Sequence, residues 1–187
     1  MTYLLIHGHS CCEIRDSRSS IVCDPWLVGS AYWRSWWNFP TNSNLNQLLD
    51  VWRNIDNFFV YITHLHWDHF HGPTLRKIQK ACPNVNFIIP STPEARLVKD
   101  LEDVIGRKDI IQLEHCRPFE VDRNLSLLSF QSHPITADSA LSIVGKEFSI
   151  LNMNDSKLLP FSLKHLLSLS YQLLILFSLT YYPQTIK

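Results

Sequence analysis

Apolar and polar positions alternate along this chain in short blocks, whose period switches between that of strands and that of helices. Residues 2–6, Cys11-Cys12-Glu13-Ile14 and Ser20-Ile21-Val22-Cys23 predict three strands, with Gly8-His9-Ser10 as a turn and Arg15–Ser19 as a polar connection. After the polar loop from Thr41 to Asn46, the spacing of Leu45, Leu48, Leu49 and Trp52 predicts a short helix. Phe58-Phe59-Val60-Tyr61-Ile62 is an unbroken apolar run and predicts a buried strand. Gly72-Pro73 opens a helix from Pro73 to about Lys80, and a strand is expected over Val85–Ile89. Ser91-Thr92-Pro93-Glu94 predicts a helix start with a capping oxygen, an early proline and Glu three after Ser. Leu97, Leu101, Val104 and Ile105 supply that helix's apolar stripe, and Gly106 stops it. Strands at Ile110–Leu113 and Leu125–Phe130 follow, then a hairpin of Leu141–Val144 and Phe148–Leu151 about Gly145-Lys146. The pattern is strands first, then βα alternation.

The stretch Thr63-His64-Leu65-His66-Trp67-Asp68-His69 lies between the buried strand and the helix opened by Gly72-Pro73. A loop in that place can turn its side chains inward around an ion, whereas a straight strand would send neighbours to opposite faces. Imidazole and carboxylate suit zinc, iron and manganese, and donors this dense allow two close sub-sites. The plainer alternative is a histidine-rich surface loop that binds nothing. Asp24 follows a β-branched run and precedes Pro25, where the chain leaves its strand. A carboxylate there can accept a hydrogen bond from the far nitrogen of a metal-bound histidine, or it can simply make an Asp-Pro turn. His133 stands at a strand end before Pro134, and Asp155 follows the hairpin directly. His7 and His9 read equally well as hydrogen-bonded residues near a strand end and as part of a site.

Trp26, Tyr32, Trp33, Trp36, Trp37 and Phe39 crowd a segment without periodicity. Most of these rings are expected to pack a loop against the sheet. The sharper alternative makes Trp36 and Trp37 the wall of a substrate pocket, with Arg34 reaching a phosphate or carboxylate. His115 has no motif about it and reads as a surface or structural residue.

Composition narrows the picture. The chain has 187 residues, enough for one domain with a sizeable core, and 45% hydrophobic with 18% charged residues suits a soluble globular protein. Lys plus Arg number 17 and Asp plus Glu 17, so no global field recruits nucleic acid or an anionic membrane. The 5 cysteines have no paired spacing, which argues against a disulfide framework or zinc ribbon and for small buried hydrophobes in a reducing cytoplasm. The N-terminus shows no basic region of a signal peptide.

The metal loop, with Asp24-Pro25-Trp26-Leu27 and Trp36-Trp37 upstream, resembles the metallo-β-lactamase superfamily. The likeness is greater to its CMP-N-acetylneuraminate (sugar-nucleotide) hydroxylase and ascorbate-6-phosphate lactonase branches. The Gly8-His9-Ser10 turn and Asp138-Ser139 are similar to segments of those branches. The resemblance implies an αββα sandwich, in class terms α+β or α/β, with two similar β-rich halves and helices outside. It implies metal ligands at His64, His66, Asp68, His69, His133 and Asp155, with Asp24 supporting a ligand from behind and Asp155 bridging or holding the second ion. The family's final histidine motif has no counterpart, because only His165 follows Asp155 and it sits in the helical pattern Phe161–Leu169. The expectation is therefore a single domain over 1–187 whose second half is incomplete. Residues 158–187 form an atypical apolar tail. Its uncharged run Leu166–Ile186 approaches the length of a membrane span, but Ser168, Ser170, Gln172, Ser178 and Thr180 interrupt it, and a helix plus a strand Gln172–Leu179 explains it within the fold.

Three functions compete at this point. The first is a metal-dependent hydrolase with one or two divalent ions, zinc foremost and iron or manganese as alternatives. It would use activated water on a lactone, amide or phosphoester, with Asp68 as ligand or base. The second is the metal-binding part of a sugar-nucleotide hydroxylase. That reading needs an electron donor on another chain, since no C-x-H with a later C-x-x-H is present to hold a Rieske cluster. The third is an inactive remnant or interaction module. Expected partners are a small-molecule substrate and, to cover the incomplete half, a second copy or a chain supplying what is missing; nucleic acid and membrane are not expected.

Overall fold

The computed structural model describes residues 2–38, 44–93, 95–131, 138–157, 160, 164 and 174–177. The opening strands are β1 (Tyr3–Gly8), β2 (Cys11–Arg15) and β3 (Ser19–Cys23), an antiparallel meander. A miniature hairpin follows, β4 (Ser30–Ala31) and β5 (Trp36–Trp37), joined by a tight turn at Tyr32–Arg34. Then come α1 (Leu45–Trp52), β6 (Asn57–Tyr61), α2 (Gly72–Ala81), β7 (Asn86–Pro90), α3 (Arg96–Ile105) and β8 (Ile111–Leu113). β3, β6, β7 and β8 pair in parallel, so each crossover carries a helix back across one face, as parallel pairing demands. This gives a six-stranded sheet in the order β1-β2-β3-β6-β7-β8.

The second sheet is built from β9 (Phe119–Asp122), β10 (Leu125–Gln131), β11 (Ser139–Gly145), β12 (Ser149–Asn152) and β13 (Leu174–Phe177). Its order is β13-β12-β11-β10-β9, with β13 joining β12 in parallel. Ile14, Ile21, Phe59, Tyr61 and Ile88 of the first sheet meet Leu127, Leu141, Ile143 and Ile150 of the second, forming the core between the sheets. Val22, Val60, Phe87 and Ile89 face the other way, onto Trp52 of α1, Leu75 and Ile78 of α2 and Leu97 and Leu101 of α3. A strand buried on both faces has no room for polar alternation, which is why Phe58–Ile62 is continuous. The αββ layering matches the expected sandwich, and the helix expected over 161–169 lies outside the described residues apart from position 164.

Tyr61 ties the two sheets together near the metal loop. Ser139 Oγ donates its single proton to the Thr63 carbonyl at 3.2 Å, so it accepts from the Tyr61 hydroxyl at 2.7 Å, and Ser129 Oγ donates to Tyr61 at 3.1 Å. One proton direction runs through the chain of four groups. Burial with Asp24 nearby raises the Tyr61 pKa, which keeps the phenol protonated for this task.

Two local expectations are corrected. α3 starts later than Ser91-Thr92-Pro93 suggests, with Ala95 at its N-cap and no side-chain cap bond. The aromatic segment is also less buried than expected: Trp26 is core, but Trp33, Trp36 and Trp37 are 84%, 41% and 62% exposed. β9 is an element the sequence pattern did not reveal. Cys11, Cys12, Cys23 and Cys82 are buried and free, as small hydrophobes, and burial pushes the Cys82 thiol up to about 11. Among the described residues no helix is long and apolar enough to cross a membrane.

Candidate metal centre

β6 delivers the chain to the rim of the sandwich, and Thr63 to His71 coil there before α2 begins. The coil is closed by His66, whose carbonyl accepts from the amides of His69 at 3.0 Å and Phe70 at 2.6 Å. This reversal aims Asp68 and His69 back over the strand ends.

Asp24 is the buried hub beneath them. It leaves β3 in the left-handed region, φ 45°, with its amide held by the Tyr61 carbonyl at 2.9 Å. Its Oδ1 accepts from the Thr63 amide at 2.8 Å. Its Oδ2 accepts from Thr63 Oγ1 at 2.8 Å, His69 Nδ1 at 2.8 Å and Asn154 Nδ2 at 2.5 Å. These bonds fix two tautomers. His69 carries its proton on Nδ1, so Nε2 is the nitrogen it turns toward Asp68 and Asp155. Thr63 commits its one hydroxyl proton to Asp24, because a carboxylate only accepts, and so takes a hydrogen bond from His64 Nδ1 at 2.9 Å. His64 therefore offers an unprotonated Nε2.

Two donor clusters result. His64 Nε2 and His66 Nδ1 face each other at 2.7 Å, and Asp155 Oδ2 stands 3.7 Å from each. On the other side Asp68 Oδ2 lies 2.7 Å from His9 Nε2 and 3.6 Å from His69 Nε2. Asp155 Oδ2 is also 3.7 Å from His69 Nε2, so one carboxylate oxygen sits between the clusters. The donors within each set, His64 with His66 and Asp155, and His9 with Asp68 and His69, all lie within 4.8 Å of one another. Nitrogen and oxygen donors at such spacing fit divalent ions.

Electrostatics follow the same division. Burial, with His69 and His66 adding, lowers the His64 pKa to about 4, so the ring is neutral near pH 7. Burial also opposes charge on His69, but the Asp24 carboxylate outweighs it with Asp68 and Asp155 contributing, and the pKa is raised. Burial works against an ionised Asp68 too, yet hydrogen bonds from His9 and from Tyr32 Oη at 2.7 Å hold it well below the usual carboxylate range.

The structure thus brings together Asp24, His64, His66, Asp68, His69 and Asp155. His133 lies outside the described residues. Arg34 lines a cavity of about 380 Å³ with Tyr32, Trp33, Trp67, Phe70 and His71. Trp36 stands instead against His9 and Tyr32, and Trp37 bonds the Arg34 carbonyl at 3.2 Å; neither lines that cavity. His9, Tyr32, Thr63, Asn154 and His71 are the residues sequence reasoning left unassigned. The available signals were adjacency for Thr63 and Asn154 and the Gly8-His9 turn; Tyr32 stood out only as one ring of the aromatic segment. His71 is buried; Leu27 N occupies Thr74 Oγ1, the Thr74 hydroxyl donates to His71 Nδ1 at 2.8 Å, and Nε2–H points at the Ser30 carbonyl at 3.4 Å. It ties the aromatic hairpin to the start of α2.

A two-sheet sandwich that gathers imidazoles and carboxylates at one rim of strand ends defines a metal-binding sandwich domain. The family model described as "Beta-lactamase superfamily domain" matches residues 3–139, and the chain belongs to the metallo-β-lactamase superfamily. It is 30% identical over 165 residues to the inactive cytidine monophosphate-N-acetylneuraminic acid hydroxylase of Homo sapiens, covering 83% of this chain and 30% of that protein. The corresponding hydroxylase of Gorilla gorilla gorilla is 30% identical over 163 residues, covering 83% and 25%. The chain thus spans well under half the length of these curated relatives. Among solved structures it is similar to a metallo hydrolase from the archaeon Ignicoccus hospitalis, with TM-score 0.60, 18% identity, and 85% and 63% of the two chains covered. It is also similar to CmlA, a diiron beta-hydroxylase from Streptomyces venezuelae, with TM-score 0.56, 20% identity, and 80% and 28% covered. At these identities the structural likeness is one of fold.

Proposed function

We propose that this chain is the metal-dependent catalytic domain of a hydrolase, with His64, His66, His133 and Asp155 holding one divalent ion and Asp68, His69 and Asp155 contributing to a second. The observation that carries the reading is the Asp24–Thr63–His64 and Asp24–His69 hydrogen bonding, which engages both Nδ1 atoms and turns the Nε2 atoms of both rings toward one carboxylate oxygen. A surface loop of histidines has no need of a buried carboxylate that sets ring tautomers, whereas ligating histidines do. A bound divalent ion supplies Lewis acidity and a water of lowered pKa. Asp24 orients the imidazoles, and Asp68, whose carboxylate is held by His9 Nε2 and Tyr32 Oη, serves as a ligand. The cavity beside Tyr32 is lined by Trp33, Trp67, Phe70 and Arg34, a set that suits a lactone, amide or phosphoester attached to an anionic group.

A second reading is favoured by the hydroxylase relatives: this chain as the metal-binding part of a sugar-nucleotide hydroxylase, served by an electron donor outside these residues. One experiment separates the two. The purified chain is loaded with zinc or, anaerobically, with ferrous iron. Zinc-supported hydrolysis of a lactone and phosphoester panel supports the first reading. Oxygen consumption only with iron, a reductant and a sugar nucleotide supports the second. Failure to retain either metal would contradict both.

A further inference from the structure

We propose that His9 is a fourth imidazole of the centre and ligates the second ion together with Asp68 and His69. The inference rests on the two-metal reading above, and begins from the backbone. Gly8 has φ 123° and His9 has φ 44°, two successive residues in the region that L side chains avoid. A Cβ on Gly8 would come within 2.8 Å of Asn38 Oδ1, so glycine is required there for space as well as for conformation. His9 has no such licence. A non-glycine residue in the left-handed region costs about 1–2 kcal/mol, and such strain persists where the surroundings hold a residue for a task.

What the strain achieves is the placement of one ring. The turn lifts His9 off β1 and lodges it edge-on between Trp26, at 5.4 Å between centroids, and Trp36, at 6.3 Å. Nε2 then lies 2.7 Å from Asp68 Oδ2, and its ligand atom shares a sphere of 4.8 Å with those of Asp68 and His69. The first position has two imidazoles and Asp155 among the described residues. The second has His69, Asp68 and a share in Asp155, and is one imidazole short of equal until His9 is counted. Three protein donors with one position open for water is the usual arrangement of a catalytic zinc. A mere hydrogen-bond donor to Asp68 is less needed, since Tyr32 Oη already serves Oδ1 at 2.7 Å.

The test is metal stoichiometry and affinity on the full chain, by mass spectrometry after zinc loading and by chelator competition. Three forms are compared: wild type, His9→Gly and His9→Gln. Glycine is at ease at φ 44°, so His9→Gly is expected to fold with an unchanged far-ultraviolet spectrum. Wild type should hold two zinc ions. In His9→Gly one should stay tight and the other weaken by at least about 100-fold, beyond the range for outer residues that only orient a ligand. Added imidazole should restore it. His9→Gln keeps an N–H for Asp68 and should behave like His9→Gly. Two ions held at wild-type affinity by both variants, or by His9→Gln alone, would overturn the proposal and leave the metal reading standing. A single ion in wild type would also overturn it. No bound zinc in wild type would bring down the metal reading itself.

Discussion

The tautomers of His64 and His69 decide what this site can do, and both trace to one buried carboxylate. The sequence placed Asp24 correctly at a strand exit and suggested one hydrogen bond to one histidine. Four accepted bonds were not legible, because Thr63 and Asn154 reach Asp24 only through tertiary packing. The consequence is a prediction about two substitutions. Asp24→Asn preserves shape and tolerates φ 45°, but its amide nitrogen sets donor against donor. Zinc affinity should fall by about 10–100-fold with the fold retained, as read by chelator competition. Asp24→Ala orphans four donors at about 1–3 kcal/mol each where they stay dry, and should unfold far more readily in urea. The protonation of His64 makes a second prediction, for the metal-free chain. Its folded pKa near 4 lies below the ordinary 6.5, so between those values the unfolded state binds more protons and stability must fall as pH falls. His69 has the opposite sign: its pKa is raised, so its contribution is complete below pH 6.5 and is lost only as pH rises above it. Asp68, with a lowered pKa, loses its contribution only below the carboxylate range. His69 opposes His64 between pH 7 and 5, so the readout is a difference. In urea titrations the stability of His64→Asn should change more favourably than that of wild type on going from pH 7 to 5, and an identical pH dependence in the two would refute the assignment.

At the scale of elements, periodicity found nearly every strand and helix that forms the core. Continuous apolar runs marked the parallel strands, and the Leu97, Leu101, Ile105 stripe marked α3. Misses fall where local signals compete with tertiary ones. Ser91-Thr92-Pro93 has the composition of a helix cap, but the Ser91 amide continues sheet pairing by donating to the Leu113 carbonyl at 2.8 Å, and α3 starts only after Ala95. β9 is short and alternates too weakly to stand out from its loop. The aromatic hairpin β4–β5 has no period because Tyr32, Trp33 and Arg34 are all left-handed, at φ 47°, 55° and 73°. The β1–β2 turn carries a direct prediction. Gly8→Ala meets both φ 123° and Asn38, so it should destabilise the chain by more than about 1 kcal/mol in chemical denaturation and displace His9 from Asp68. Gly29→Ala, whose Cβ would meet nothing within 4 Å at φ 62°, is a control that carries the backbone strain alone and should leave zinc binding unchanged.

For the molecule as a whole, the superfamily was legible from a single loop and its flanks, and the αββ order of layers followed from it. The centre was only half legible. The HxHxDH stretch announces candidate ligands, but the way β1, β3 and the β12 exit bring His9, Asp24 and Asp155 to the same rim is a property of the closed sandwich. Those segments are far apart in sequence, so an ion joining them must stabilise the folded state as a unit. Free zinc at about 100 times its dissociation constant should add about 2.7 kcal/mol, raising Tm by about 5–10 °C, and a chelator should reverse it. The most direct test is anomalous diffraction at the zinc edge from crystals of the zinc-loaded chain. Two peaks are expected, one among His64 Nε2, His66 Nδ1 and Asp155 and one among His9, Asp68 and His69. Crystals of zinc-loaded protein with no peak at the Asp155 carboxylate, or with zinc only on exposed surface groups, would contradict it.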